Sequence, residues 1–135
     1  MAHISTNARG LLLSRLIPQG RWFTGDEVRI TSVCTQSDKC EPGDLYIALD
    51  ESELDSQDDI DLAIRRGASA ILAERIMPSS MPQFIVDDCR ESFARICQAL
   101  SGDPTRSMRT IGVSGSYGKT VTSYLLTSIL DVGGH

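Results

Sequence analysis

Gly112-Val-Ser-Gly-Ser-Tyr-Gly-Lys-Thr120 lies between an apolar run, Thr110 to Val113, and a stretch of helical spacing from Lys119 to about Leu130. The order strand, glycine loop, helix is the context in which a loop can cradle phosphate. Gly115 and Gly118 free the backbone to turn its N–H groups toward one centre, and the helix start adds unpaired donors and the positive end of its dipole. Lys119 then supplies a charge for terminal phosphates, and the Thr120 hydroxyl a ligand for Mg²⁺. The common pattern G-x-x-x-x-G-K-[ST] wants glycine at 113, where this chain has Val113, so the generic match is incomplete.

Upstream, apolar residues alternate between two spacings, which predicts strands interleaved with helices and an α/β fold: a small sheet with helices packed on it. Ala8 to Ile17 reads as a first helix stopped by Pro18, Val28 to Val33 as a strand, and Cys34 to Asp44 as a loop. Leu45 to Leu49 reads as a buried strand. Its end opens into the acidic loop Asp50 to Asp58, and a helix follows with Ile60, Ala63 and Ile64 on one face and Gly67 as its stop. Ala70 to Ala73 and Phe84 to Val86 continue the sheet. In Glu91 to Leu100, Phe93, Ile96, Cys97 and Leu100 take i, i+3, i+4 and i+7. Gly102, Asp103 and Pro104 break that pattern, so two units are expected, 1–105 and 106–135, the second an incomplete strand–P-loop–helix unit.

Composition narrows the function classes. The 135 residues are 41% hydrophobic and 23% charged, with 13 Lys and Arg against 18 Asp and Glu and a net charge of -5, so no basic surface for nucleic acid or anionic membrane is expected. The apolar runs are far shorter than the roughly 20 residues of a bilayer span, and the N-terminus carries no secretory pattern, which makes cytoplasm the expected compartment. Cys34, Cys40, Cys89 and Cys97 form no C-x-x-C pair, and the two histidines, His3 and His135, sit at or near the ends. Reduced thiols are expected rather than a zinc site. Glu51 to Asp61 reads as a solvated acidic surface, and Trp22 and Tyr46 as packing residues.

The loop resembles the T-G-T-N-G-K-T variant of the Mur ligase superfamily, read here as Ser114-Gly-Ser-Tyr-Gly-Lys-Thr120. Alone, that likeness also admits folylpolyglutamate synthetases; the upstream chain decides. Gln36-Ser-Asp-Lys-Cys-Glu-Pro-Gly-Asp-Leu-Tyr-Ile-Ala-Leu49 is similar, without a gap, to D-S-R-x-x-x-P-G-D-L-F-V-A-L of the uridine-nucleotide-binding N-terminal domain. Asp55-Ser-Gln-Asp-Asp-Ile60, Ala63 to Glu74, Val86-Asp-Asp-Cys-Arg90 and Gly102-Asp-Pro104 extend the likeness over nearly the whole chain. Within the family it is greatest to the branch that adds the third peptide residue to the peptidoglycan precursor; the branch adding D-Ala-D-Ala is the alternative.

The resemblance implies ATP-dependent ligation: a substrate carboxylate is phosphorylated and an amine attacks it. It implies that Gly115, Ser116, Tyr117, Gly118, Lys119 and Thr120 hold ATP, that Thr120 ligates Mg²⁺, and that Ser37, Ser52, Glu53 and Leu54 contact a UDP-N-acetylmuramoyl-peptide. With only the opening of the ATPase domain present, this chain on its own is not expected to ligate. Gln36 and Asp38 stand where the family has Asp and Arg, and a like charge about 4 Å from pyrophosphate costs on the order of 1 to 4 kcal/mol at an exposed site. Tyr117 replaces Asn, so a left-handed backbone there would be strained; Val121 replaces a hydroxyl residue, and Ser56 a glycine.

Leu125, Leu126, Ile129 and Leu130 need a surface to bury against. Leaving roughly 300 to 400 Å² of apolar area in water costs on the order of 10 kcal/mol as an upper bound. Docking elsewhere, self-association or mobility of that helix is expected. Two other readings remain: a non-catalytic nucleotide-sensing or association module of the same fold, and an ordinary P-loop NTPase, which requires an acidic strand downstream of the loop.

Overall fold

In the computed structural model the described residues are 3–5, 10–49 and 55–134, with side chains described for 10–49 and 57–134. The chain divides into two compact units, Met1–Pro104 and Thr105–His135.

The first unit is built on a six-stranded sheet. In chain order its strands are β1 (His3–Ser5), β3 (Arg21–Thr24), β5 (Ser32–Cys34), β6 (Leu45–Ile47), β7 (Ala70–Ala73) and β8 (Gln83–Ile85), and in space they run β1-β5-β6-β7-β8-β3. The four central strands are parallel, and the two edges are antiparallel. Parallel strands must be covered on both faces, and their side chains alternate between two cores. Val33, Leu45, Ile47, Ala70, Leu72 and Phe84 pack with Ile96 and Leu100 of helix α3 (Cys89–Leu100). Cys34, Tyr46, Ile71 and Ala73 pack with Ile60 and Ala63 of helix α2 (Asp55–Arg66).

Helix boundaries follow local chemistry. Asp88 caps α3 by accepting from the Glu91 N–H at 2.8 Å. Gly67, at φ +96°, ends α2: its N–H reaches the Ile64 carbonyl at 2.9 Å, and the Ala68 N–H reaches Ala63 at 3.0 Å, a Schellman ending.

Three expectations are corrected. Within the described part of Ala8 to Ile17, helix α1 is one turn, Leu13–Leu16, because Leu11–Leu12 (β2) pairs with Arg29–Ile30 (β4) in a separate two-stranded sheet. Val28 to Val33 is therefore two strands, β4 and β5, divided between the two sheets. Thr110 to Val113 forms no strand, since a strand needs a neighbour to exchange hydrogen bonds with and none of the described residues supplies one.

Trp22 and Tyr46 are packing residues, with the Trp22 ring 5.2 Å from that of the fully buried Phe84. Gly20 lies against the same ring: a Cβ there would come within 2.4 Å of Phe84 Cε1. Gly20→Ala is expected to lower stability by about 1–3 kcal/mol, read as a reduced urea midpoint, because a packed aromatic core yields little to an added methyl.

Among the described residues no helix is long and apolar enough to cross a membrane.

Candidate functional site

The second unit carries the glycine loop at the start of helix α4 (Lys119–Val132). Gly118 is left-handed, at φ 77°, and Gly115 has φ 147°. A side chain at either would strain the turn. Among the described residues Asp103 is the only non-glycine with positive φ, so Tyr117 sits in the loop without that strain.

The N–H groups of Gly115 to Val121 donate to none of the described residues. The Lys119 ammonium folds back over the loop and donates to the Gly115 carbonyl at 2.5 Å. The bend is thus formed, its amides are uncommitted, and one cation is held at its centre. Lys119 and Thr120 open onto a shallow surface cavity of about 330 Å³, which they share with Ser123, Tyr124 and Thr127. Gly115, Ser116, Tyr117, Gly118, Lys119 and Thr120 therefore form one continuous structure, suited to an anion with several oxygen atoms. Triphosphate oxygens fit the amides and Lys119, and the exposed Thr120 hydroxyl fits a Mg²⁺ bound with them. Ile129 is 67% exposed and Leu125 60%, so the apolar face of α4 stands uncovered.

Of the other sequence-derived residues, Ser37 belongs to the first unit and follows the carboxyl end of β5, the side on which open α/β sheets receive ligands. Ser37 begins a 3₁₀ turn, Ser37–Lys39, after β5. It is buried, and its hydroxyl donates to Asp59 Oδ1 of α2 at 2.5 Å. Ser52, Glu53 and Leu54 lie outside the described residues. Beyond β6 and β7, Ala48, Leu49, Glu74, Arg75, Cys89 and Arg90 help line a cavity of about 230 Å³. Glu74 accepts from the Cys89 N–H at 2.9 Å, fixing the start of α3 at that wall. Burial, then the Glu74 and Asp88 carboxylates, pushes the Cys89 thiol up to about 12, so it is protonated and inert at neutral pH. Arg75 and Arg90 bring two guanidinium groups to this lining, beside the Glu74 and Asp88 carboxylates.

Asp59 and Arg75 carry no mark in the sequence. Asp59 lies in an acidic stretch that reads as solvated surface, and its partner is 22 residues away. Only the pairing of turn and helix brings the two together.

No family model matches the chain. Among curated proteins it is 30% identical over 115 residues to the UDP-N-acetylmuramoyl-L-alanyl-D-glutamate–2,6-diaminopimelate ligase of Listeria innocua, covering 83% of this chain and 23% of that protein. It is 34% identical over 124 residues to the ligase of the same name from Geobacillus thermodenitrificans, covering 91% and 25%. Among solved structures, a UDP-N-acetylmuramoylalanyl-D-glutamyl-2,6-diaminopimelate–D-alanyl-D-alanyl ligase from Acinetobacter baumannii superposes with a TM-score of 0.58 at 26% identity, covering 88% of this chain and 27% of that one. The chain spans about a quarter of the length of these relatives.

Proposed function

Because this chain belongs to the Mur ligase family, we propose that it carries the UDP-sugar-binding segment and the opening triphosphate loop of an ATP-dependent ligase. Its substrate in this reading is UDP-N-acetylmuramoyl-L-alanyl-D-glutamate, extended by one amino acid during peptidoglycan precursor synthesis in the cytoplasm. Residues 1–105 hold the UDP-sugar and residues 106–135 begin the ATP-binding domain.

The observation that carries the reading is the loop. Its N–H groups from Gly115 to Val121 are unspent, and Lys119 is already drawn over it. Lys119 neutralises the terminal phosphates, the amides of Gly115 to Thr120 orient them, and Thr120 holds Mg²⁺. The bound Mg²⁺ would offset negative charge as the phosphoryl group passes to the substrate carboxylate. An amine then displaces phosphate to form the amide. Ser37, held by Asp59, contacts the uridine nucleotide together with the 52–54 loop, and Arg75 and Arg90 favour its diphosphate. The exposed face of α4 is covered by further parts of the ATP-binding domain, and in their absence it promotes self-association.

A second reading, the branch that adds D-alanyl-D-alanine, draws on the likeness to the Acinetobacter baumannii structure. The sequence relatives at 30% and 34% identity favour the first.

Titration of the chain with UDP-N-acetylmuramoyl-L-alanyl-D-glutamate, followed by Trp22 fluorescence, is expected to saturate and to be competed by UDP. Ser37→Ala is expected to weaken that binding about twofold to tenfold, the range of one net hydrogen bond. Absence of saturable, UDP-competed binding would count against the first unit's assignment.

A further inference from the structure

Among the described residues, Cys34, Cys40 and Asp44 form a group of chemistry-bearing side chains to which the proposed ligation assigns no part. Cys34 ends β5, Cys40 follows the 3₁₀ turn, and Asp44 immediately precedes β6. Their two sulfur atoms and a carboxylate oxygen all lie within 4.8 Å of one another. All three residues are buried, at 0%, 3% and 0% exposure. We propose that Cys34, Cys40 and Asp44 form a binding site for one thiophilic divalent cation of the Zn²⁺ class.

The separations suit such an ion. Tetrahedral coordination with metal–sulfur distances of about 2.3 Å and metal–oxygen distances of about 2.0 Å places ligand atoms roughly 3.5 to 3.8 Å apart. The observed limit of 4.8 Å encloses that spacing. Two sulfurs and one oxygen select zinc, cobalt or cadmium over Mg²⁺ and Ca²⁺, which take oxygen sets. The Cys34 thiol donates to the Gln36 carbonyl at 3.0 Å, which holds its sulfur in place at the cluster.

The carboxylate is held from outside, as metal ligands characteristically are. The Ser32 hydroxyl donates to Asp44 Oδ1, and the Glu41 N–H donates to Oδ2 at 2.8 Å. The backbone beneath is strapped to the end of α2: the Gly43 N–H reaches the Gly67 carbonyl at 2.9 Å, and the Ser69 N–H reaches the Asp44 carbonyl at 2.7 Å. The donors are therefore pre-positioned. On binding, each thiol passes its proton to solvent and its sulfur ligates as thiolate, so the cation replaces protons in an enclosed site.

The test is titration of the reduced chain with Co²⁺, then Cd²⁺, under a non-thiol reductant. A thiolate-to-metal charge-transfer band that saturates at one equivalent is the expected result. Cys34→Ser and Cys40→Ser should each weaken binding at least tenfold, whereas Cys89→Ser and Cys97→Ser should leave the band unchanged. No band in the wild-type chain, or a band that persists without Cys34 and Cys40, overturns the proposal. Because a buried serine can itself disturb folding, the wild-type melting temperature provides a second reading. It should rise with Zn²⁺ and fall back on adding a chelator; an unmoved melting temperature overturns the site without recourse to any variant. No nucleotide enters these experiments, so their failure would leave the ligase reading untouched.

Discussion

Replacing Lys119 by alanine is expected to weaken Mg·ATP binding about tenfold to a hundredfold, measured by displacement of a fluorescent ATP analogue. The ammonium donates to the Gly115 carbonyl, an exposed neutral acceptor. Moving it onto phosphate oxygens gains a charge-assisted bond, a class worth about 1.5–3 kcal/mol. The glycines and amides survive the substitution, so the loss is confined to charge and not to the shape of the bend. Urea unfolding of the first unit should be unchanged. An affinity within twofold of wild type would mean that Lys119 takes no part in nucleotide binding.

Phe84→Ala is expected to have the largest effect on stability, a loss of about 3–5 kcal/mol, the range for truncating a core aromatic. The ring is fully buried at the middle of β8, paired in register with Leu72 of β7 and Trp22 of β3. Its removal leaves a cavity bounded by the Trp22 ring and the Gly20 backbone. Set against a typical total of about 5–15 kcal/mol, that loss is a large share. Trp22 is the chain's sole tryptophan, so its fluorescence reports the midpoint directly. A shift worth less than about 1 kcal/mol would show that the site collapses to fill the space. Because Gly20 and Phe84 touch, Gly20→Ala should cost less when Phe84 is already alanine, a non-additivity that a double-mutant cycle measures.

Much of the fold is legible in the sequence. Ala70 to Ala73 reads as a strand because four apolar residues bounded by polar ones leave little alternative, and β7 has those same limits. The i, i+3, i+4 spacing around Ile96 marks α3, although the helix starts earlier, at Cys89, once Asp88 is seen to cap it. The glycine loop is legible for a different reason: its conformation depends on residues adjacent in the chain.

What escaped depends on partners distant in sequence. Leu11 and Leu12 have helical spacing with their neighbours, yet they pair with Ile30 and Arg29, and that ladder decides their state. Arg21–Thr24 alternates over only four residues and irregularly, with a register shift between Trp22 and Thr24, so its place at the sheet edge depends on β8. Thr110 to Val113 has a strand's composition but no strand beside it among the described residues. Ser37 stands out through its motif, whereas Asp59, which fixes its hydroxyl, becomes visible only when α2 packs against the turn.

Triphosphate binding by the loop depends on amides that are uncommitted among the described residues. Amide resonances of the labelled chain, followed by proton–nitrogen correlation spectra while Mg·ATP is added, test it most directly. Gly115, Gly118, Lys119 and Thr120 should shift progressively and saturate together, with Gly20 and Gly67 of the first unit unmoved. If those four resonances stay in place while nucleotide is in excess, the loop does not bind triphosphate and the central claim is wrong.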